Sequence, residues 1–161
     1  MNAIVAVSRS WGIGKGGDLL FHLKKDMRFF RQMTLGKTVV MGRKTLDSFP
    51  GGKPLPQRRN IVLTRDRSFS RPGAETVFSI EELLRLTEGL PSEDVFVIGG
   101  GEIYRQLLPF CHRIYVTQAD ADPEASVFFP VLPEEGWHMT GCSDCFEENS
   151  LRFHFTIWEK D

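Results

Sequence analysis

Apolar positions along this chain fall into two alternating patterns. Short runs rich in Val, Ile, Phe and Tyr occupy residues 2 to 8, 38 to 42, 60 to 64, 75 to 78, 95 to 98 and 113 to 119, with two more near 137 to 145 and 151 to 159. Their length and their β-branched and aromatic content predict strands. Between the early runs lie helix-length patterns: residues 24 to 33, a short one from about 43 to 49, SIEELLRL from Ser79, and one opening at GGGEIYRQLL. Ser79 and Glu82 form an S-x-x-E capping box, which satisfies amides that a helix start leaves unpaired. Alternating βα units followed by a β-only tail predict an α/β fold. One large, mostly parallel sheet is covered by helices and carries antiparallel strands at one edge. Ligands of such sheets sit at the carboxyl ends of the strands.

One helix carries an anomaly. In KKDMRFFRQM, residues 24 to 33, a spacing of about 100° per residue puts Lys24, Lys25, Arg28, Arg31 and Gln32 on one arc. Leu23, Met27, Phe29, Phe30 and Met33 fall on the other, and Asp26 lies among them. A carboxylate ionised on a buried face without partners is strongly unfavourable. Asp26 must therefore be protonated, paired with a cation from another element, or turned to a ligand cleft. A lone acid in an apolar cleft suits a cationic or amidine-like heterocycle and can deliver or organise a proton. A structural ion pair is the alternative.

A length of 161 residues predicts a single domain, 1–161, with no room for a second catalytic domain. With 41% apolar and 25% charged residues the chain is an ordinary globular one, and no apolar run is long enough to span a bilayer. The N-terminal MNAIVAVSRSW lacks a basic stretch followed by a long apolar region and a cleavage site. It reads as a first strand, which predicts a cytoplasmic location. A formal net charge of -1 gives no global field for nucleic acid. Residues 53 to 71 nevertheless hold Lys53, Arg58, Arg59, Arg65, Arg67 and Arg71 against one acid, Asp66, which suggests a small anionic ligand. Cys111, Cys142 and Cys145 are too few for a disulfide framework. Cys142 and Cys145 match C-x-x-C, but no second such pair and no following βα unit supports a zinc or redox role.

Two glycine clusters differ in context. Gly12-Ile-Gly-Lys-Gly-Gly17 formally matches G-x-G-x-x-G after a strand, but DLLFHL intervenes before the helix and no acid closes the next strand, TVVMGRK. Residues 9 to 23 are better described as a long glycine-hinged loop, of the length that lids over sites have. In Val97-Ile-Gly-Gly-Gly-Glu-Ile-Tyr104 a buried strand runs straight into glycines and a helix, so a ligand can approach the backbone closely. A tight strand-to-helix turn is the alternative. No Gly-Lys-Ser/Thr follows, which argues against a nucleoside-triphosphate P-loop. Gly42-Arg-Lys-Thr45 and Thr64-Arg65 put cations and hydroxyls at two further strand ends, where a NAD site would place an acid. This favours a phosphorylated ribose, hence NADP, with plain surface charge as the alternative.

In this order, Asp26, the glycine triplet and the cationic strand ends resemble the bacterial dihydrofolate reductases along nearly the whole chain. The most specific segments are TLGKTVVMGRKTLDSFP (34 to 50), KPLPQRRNIVLTR (53 to 65) and VFVIGGGEIYRQLLP (95 to 109). The resemblance implies an eight-stranded, mainly parallel mixed sheet with an antiparallel C-terminal edge and about four flanking helices. The implied reaction is hydride transfer from NADPH to dihydrofolate. Asp26 would be the catalytic acid that binds the pterin's 2-amino group and ring nitrogen and promotes protonation of N5, with Thr117 bonded to it. Ile4, Val5, Leu19, Phe21, Phe30, Phe49, Leu55 and Ile98 would contact the substrate, and Arg58 would hold its glutamate tail. Ala6, Ile13 and Gly14 would lie at the nicotinamide. Gly42, Arg43, Lys44, Thr45, Leu63, Thr64 and Arg65 would lie at the phosphate and adenosine side. Gly99, Gly100, Gly101, Glu102, Ile103 and Tyr104 would form the segment at the pyrophosphate and nicotinamide, with a cis peptide joining Gly99 to Gly100. The implied partners are small molecules, antifolates among them, and not nucleic acid or membrane; the implied state is a monomer without a metal.

Departures from the family pattern cluster at the lid. Where the family usually reads N-x-L-P-W-H-L-P, this chain has Gly17-Asp-Leu-Leu-Phe-His-Leu-Lys24, and Phe21 lacks the indole donor that helps organise water near the acid. Glu124-Ala-Ser-Val-Phe-Phe129 replaces a stretch that commonly contains Gly-Asp-Thr, so weaker side-chain ties on a closed lid are expected. Two rivals stand beside this reading: the NADPH-dependent pyrimidine reductase of riboflavin synthesis, which has the same fold, and a non-catalytic nucleotide-binding or redox module.

Overall fold

The computed structural model describes residues 1–160. In chain order they form β1 (Asn2–Val7), β2 (Gly12–Lys15), β3 (Asp18–Leu19), α1 (Lys24–Thr34), β4 (Thr38–Gly42), α2 (Arg43–Ser48), β5 (Arg59–Leu63) and β6 (Ala74–Val77). Then follow α3 (Ile80–Thr87), β7 (Val95–Gly99), α4 (Gly101–Leu107), β8 (Arg113–Ala119), β9 (Val127–Phe128), β10 (Trp137–Cys142), β11 (Phe146–Glu148) and β12 (Leu151–Lys160). The main sheet runs β10-β12-β8-β1-β7-β4-β5-β6, with β11 added to β12. All pairings from β8 to β6 are parallel, while β12 joins β8 and β10 joins β12 antiparallel. The eight-stranded mixed sheet with its antiparallel edge is the predicted architecture.

The central strands are apolar on both sides because helices cover both. In β4, Val40 joins Ile61, Val97 and the α4 residues Ile103, Tyr104 and Leu107 on one face, with Leu83 of α3. Val39 and Met41 join Ile4, Phe96, Leu46 of α2, and Phe29, Phe30 and Met33 of α1 on the other. Alternation along β8 turns Tyr115 toward α1 and Ile114 and Val116 away from it. Thr117 shares the Tyr115 side, so a threonine is carried under the first turn of α1.

Three expectations need correction. Residues 9 to 23 are not all loop: β2 and β3 pair across the Gly16–Gly17 turn, and β2 also pairs with β9, giving a small antiparallel sheet. The run 137 to 145 ends as a strand at Cys142, because the Ser143 hydroxyl takes the place of a ladder carbonyl and accepts from the Phe155 amide at 2.9 Å. Met27, placed on the apolar arc of α1, is 63% exposed. The buried stripe is narrower than the arc and runs through Phe29, Phe30 and Met33.

The capping box forms at α3. Ser79 Oγ accepts from the Glu82 amide at 3.1 Å, while Glu82 reaches back to the Phe78 amide at 3.2 Å. Ser79→Ala is expected to lower stability by about 1 kcal/mol in urea unfolding, with the slope unchanged.

Candidate active site

Asp26 sits in the first turn of α1, over the carboxyl end of β8. Thr117 Oγ1 donates to Asp26 Oδ1 at 2.6 Å. No lysine or arginine pairs with the carboxylate among the described residues, so the structural ion pair weighed above is not what holds it. Of its own helix's cations, Lys25 lies over the Phe146 ring, 3.9 Å from the centroid, and Lys24 and Arg28 are exposed. Burial raises the Asp26 pKa above the usual carboxylate value; the Thr117 bond works against that rise and the negative charge of Glu148 adds to it. A carboxyl in this state holds its proton unusually well and lacks a permanent counter-charge.

The apolar wall beside it is assembled as expected from Ile4, Phe30, Phe49, Leu55 and Ile98, all in one cluster on the α1 face. Phe21 packs instead with Leu23, Ala119 and Phe153 next to that cluster. Leu19 projects from the β2–β3 hairpin and is 67% exposed. Val5, Ile13, Leu63 and Ile103 turn their side chains into the opposite core. Because alternate residues of a strand face opposite sides, Val5 cannot offer a side-chain contact on the Ile4 face, and only its backbone reaches that side. Ala6, next along β1, is partly buried and lies opposite Thr117 in the β1–β8 register.

Arg58 lies at the other end of α1. Its guanidinium donates to Thr34 Oγ1 at 3.2 Å and to the Pro56 carbonyl at 3.0 Å. Burial, and then the charge of Arg31, lower its pKa. Arg31 is exposed, as its place on the solvated arc of α1 predicts, and its charge reaches Arg58.

A glycine cradle closes the nucleotide side. The Gly99–Gly100 peptide is cis and Gly99 has φ +127°. A Cβ at Gly99 or Gly100 would stand 3.5 or 3.6 Å from Thr45 Oγ1, whereas one at Gly101 would fall 2.6 Å from Val127 Cγ1. Likewise, a Cβ at Gly42 would meet Ile103 at 2.9 Å. Lacking a Cβ, Gly42 lets Ile103 of α4 close onto the end of β4, and Gly101 lets Val127 of β9 close onto the start of α4. Tyr104 joins the cradle to the acid: its hydroxyl donates to the Ile4 carbonyl at 2.6 Å and packs beside Gly99. Burial, with the Asp26 charge as a lesser cause, pushes the Tyr104 pKa far up, so the phenol stays a neutral donor.

The cationic strand ends are less free than their sequence implies. Arg43 is paired with Asp66 at 2.8 Å, and Thr64 Oγ1 accepts from the Asp66 amide at 3.2 Å. Lys44, Arg65 and Glu102 are exposed; Glu102 pairs with Arg105, whereas neither Lys44 nor Arg65 has an acid partner among the described residues. Within the basic stretch 53 to 71, Arg59 pairs with Glu75 and Arg71 with Asp47, so these two cations serve the fold.

The lid has ties that the sequence did not disclose. Asp122 accepts from the Ser10 amide at 3.1 Å and the Ser10 hydroxyl at 2.6 Å. Ser126 N donates to the Gly14 carbonyl and Phe129 N to that of Trp11, at 2.9 and 2.8 Å. Side-chain and backbone bonds therefore both tie residues 10 to 14 to residues 122 to 129. A separate cavity of about 390 Å³, lined in part by Trp11, Gln118, Cys145 and His154, includes neither Asp26 nor the glycine triplet. Cys142 and Cys145 are exposed free thiols, and no group of three His, Cys, Asp or Glu residues gathers among the described residues.

A doubly covered α/β sheet with a glycine cradle at one strand end and an uncompensated acid beside it defines a nucleotide-binding fold built to present a small heterocycle to its cofactor. The sequence model of the dihydrofolate reductase family matches residues 1–160. Dihydrofolate reductases of Neisseria gonorrhoeae, Mycobacterium tuberculosis and Staphylococcus haemolyticus are 41%, 40% and 35% identical to it. The alignments cover 83%, 98% and 99% of this chain and 81%, 96% and 95% of the relatives. The solved structure of the Enterococcus faecalis dihydrofolate reductase, complexed with NADP(H) and RAB-propyl, superposes with a TM-score of 0.88 at 30% identity, covering 99% of this chain and 95% of that one. The chain belongs to the dihydrofolate reductase family.

The raised Asp26 pKa has a consequence for stability. The folded state binds this proton more tightly than the unfolded chain does, so stability is lost as pH rises from the ordinary carboxylate value through the folded one. Asp26→Asn, which keeps an acceptor for Thr117, is expected to melt higher than the parent by roughly a few degrees at neutral pH. The gap should close below the ordinary carboxylate range in paired thermal scans.

Proposed function

We propose that this chain is a single-domain NADPH-dependent dihydrofolate reductase, reducing 7,8-dihydrofolate to 5,6,7,8-tetrahydrofolate. The observation that carries this reading is Asp26, bonded to Thr117 and to no cation, beside a wall of Ile4, Phe30, Phe49, Leu55 and Ile98. A pterin has the matching chemistry: a flat ring whose 2-amino group and adjacent nitrogen are donors spaced for one carboxylate. Arg58, with Arg31 near it, suits the substrate's glutamate carboxylates at the far end of α1.

The residues present fit NADPH. At Gly100 the nearest atom a Cβ would meet is Thr45 Oγ1 at 3.6 Å, so a ligand can come close to the backbone there, and Lys44, Thr64 and Arg65 offer a hydroxyl and two cations without an acid partner among the described residues for a phosphorylated ribose. Arg43 contributes to that side while held by Asp66. Ala6, Ile13, Gly14 and Tyr104 border the nicotinamide end, and Ile103 and Leu63 support it from the core. When bound, NADPH supplies the hydride.

The chain's own work is positional and electrostatic. Asp26 holds the pterin by two donors and retains a proton readily, so the ring can be protonated at N5 as negative charge is delivered to the adjacent carbon. Thr117 fixes the carboxylate's orientation. The β2–β3–β9 sheet, with Leu19 at its tip, excludes water from the reacting face, and the Ser10–Asp122 bonds hold its root. The enzyme on this reading acts in the cytoplasm as a monomer, on small molecules rather than nucleic acid, and is inhibited by diaminopyrimidine antifolates. No helix of the structure is long and apolar enough to cross a membrane.

The test is the loss of NADPH absorbance on adding dihydrofolate. Asp26→Asn should bind NADPH as the parent does and lose on the order of a hundredfold in turnover at neutral pH. The deficit should shrink at low pH, where solvent protonates the substrate. Dihydrofolate-dependent oxidation that is absent in the folded parent, or unchanged in Asp26→Asn, contradicts the reading. Replacing Cys142 and Cys145 by Ser should leave the rate as it is.

A further inference from the structure

We propose that Glu148 is a positioning residue for Asp26: a carboxylate from the β11–β12 hairpin that fixes the first turn of α1 and places a second negative charge behind its acid. The geometry begins with an unmet need. The N-cap of α1 is Leu23, which has no side-chain oxygen for the amides of the first turn. Glu148 supplies both acceptors from across the molecule. Its Oε2 accepts from Lys24 N at 2.7 Å and its Oε1 from Lys25 N at 3.1 Å. Proline at Lys24, usual in the family pattern above, would have removed one of these donors.

The hairpin that carries Glu148 is rigidly placed. Glu148 pairs with Leu151 across a two-residue turn, Asn149 and Ser150, both in the left-handed region at φ +52° and +64°. Phe155 of β12 stacks on Phe29 of α1 with centroids 4.5 Å apart, and Phe146 of β11 lies under the Lys25 ammonium. Ring contacts on both sides thus join the hairpin to the helix, and the two amide bonds hold the Glu148 carboxylate at the turn that carries Asp26.

Because Glu148 spends its oxygens on neutral amides, its charge is not cancelled by a directly bonded cation. Those two amide bonds, together with the Lys24 and Arg28 charges, hold its pKa below the usual carboxylate value and favour its ionised form. The groups that act on Asp26 are then the Thr117 hydroxyl from β8, the neutral Tyr104 phenol from α4 and Glu148 from β11, while Lys24, Lys25 and Arg28 of its own helix are exposed. Among them Glu148 is the one negative charge. A like charge opposes ionisation, which keeps the proton on Asp26 to higher pH.

The catalytic consequence rests on the reading of Asp26 as the acid of dihydrofolate reduction, but the titration itself does not. The direct experiment labels aspartate with 13C at the carboxyl carbon and follows the Asp26 resonance against pH in the ligand-free protein, with Asp26→Asn for assignment. Glu148→Gln keeps a carbonyl oxygen for one amide and removes the charge. The Asp26 midpoint is expected to move to lower pH in Glu148→Gln. In parallel, the falling limb of the pH profile for dihydrofolate reduction should move the same way. Rates above neutral pH should drop on the order of threefold and converge with the parent's at low pH. NADPH affinity should not change. A lower melting temperature with the Asp26 midpoint unmoved would mean a helix cap and nothing more, and would overturn the proposal. A moved midpoint in a protein that does not reduce dihydrofolate would uphold the role of Glu148 and count against the proposed reaction alone.

Discussion

The hydrogen bond from Thr117 to Asp26 is the contact on which the site depends, because it is the one direct side-chain partner, among the described residues, of a carboxylate held in an apolar setting. A neutral hydroxyl can orient such a group without cancelling its charge. A lysine in the same place would have satisfied the acid permanently and left nothing for a ligand to do. The remaining arrangement serves this incomplete neutralisation. Phenylalanines 29 and 30 keep water from the helix face, Tyr104 stays un-ionised through burial, and the cations of α1 are turned outward or onto an aromatic ring. The fold accepts a locally unfavourable charge where chemistry needs one, as functional sites commonly do.

The sheet explains how residues so distant in sequence meet. Parallel order β8-β1-β7-β4 brings the carboxyl ends of four strands side by side, so Thr117, Ala6, Gly99 and Gly42 lie along one rim. The acid approaches this rim from α1 above the sheet, and the glycines Gly99, Gly100 and Gly42 lie at the adjoining ends of β7 and β4. Tyr104 crosses between the two halves by its bond to the Ile4 carbonyl.

Much of this was legible because it is local. Strand and helix positions followed from periodicity, the α3 cap from Ser79 and Glu82, and the anomaly of Asp26 from a 100° wheel. What escaped is what depends on distant partners. The lid strands are two to four residues long and exist only because Gly12 and Gly14 meet Phe128 and Val127. Arg43 reads as a free phosphate ligand until Asp66 folds onto it. Glu148 caps a helix that begins 124 residues earlier, so no window of sequence could have found it. Met27 erred for a geometric reason: a wheel gives relative direction, while the neighbours that cover a face are set by the rest of the fold.

The central claim is that Asp26 waits for a donor-bearing, cation-forming ring, and the ring itself can report on it. A 2,4-diaminopyrimidine antifolate labelled with 15N at N1 changes its chemical shift sharply on protonation. Bound to the parent protein, the ring should remain protonated well above the pH at which the free compound loses its proton, and should do so no longer in Asp26→Asn. A bound ring that is neutral at neutral pH in both proteins would contradict the account.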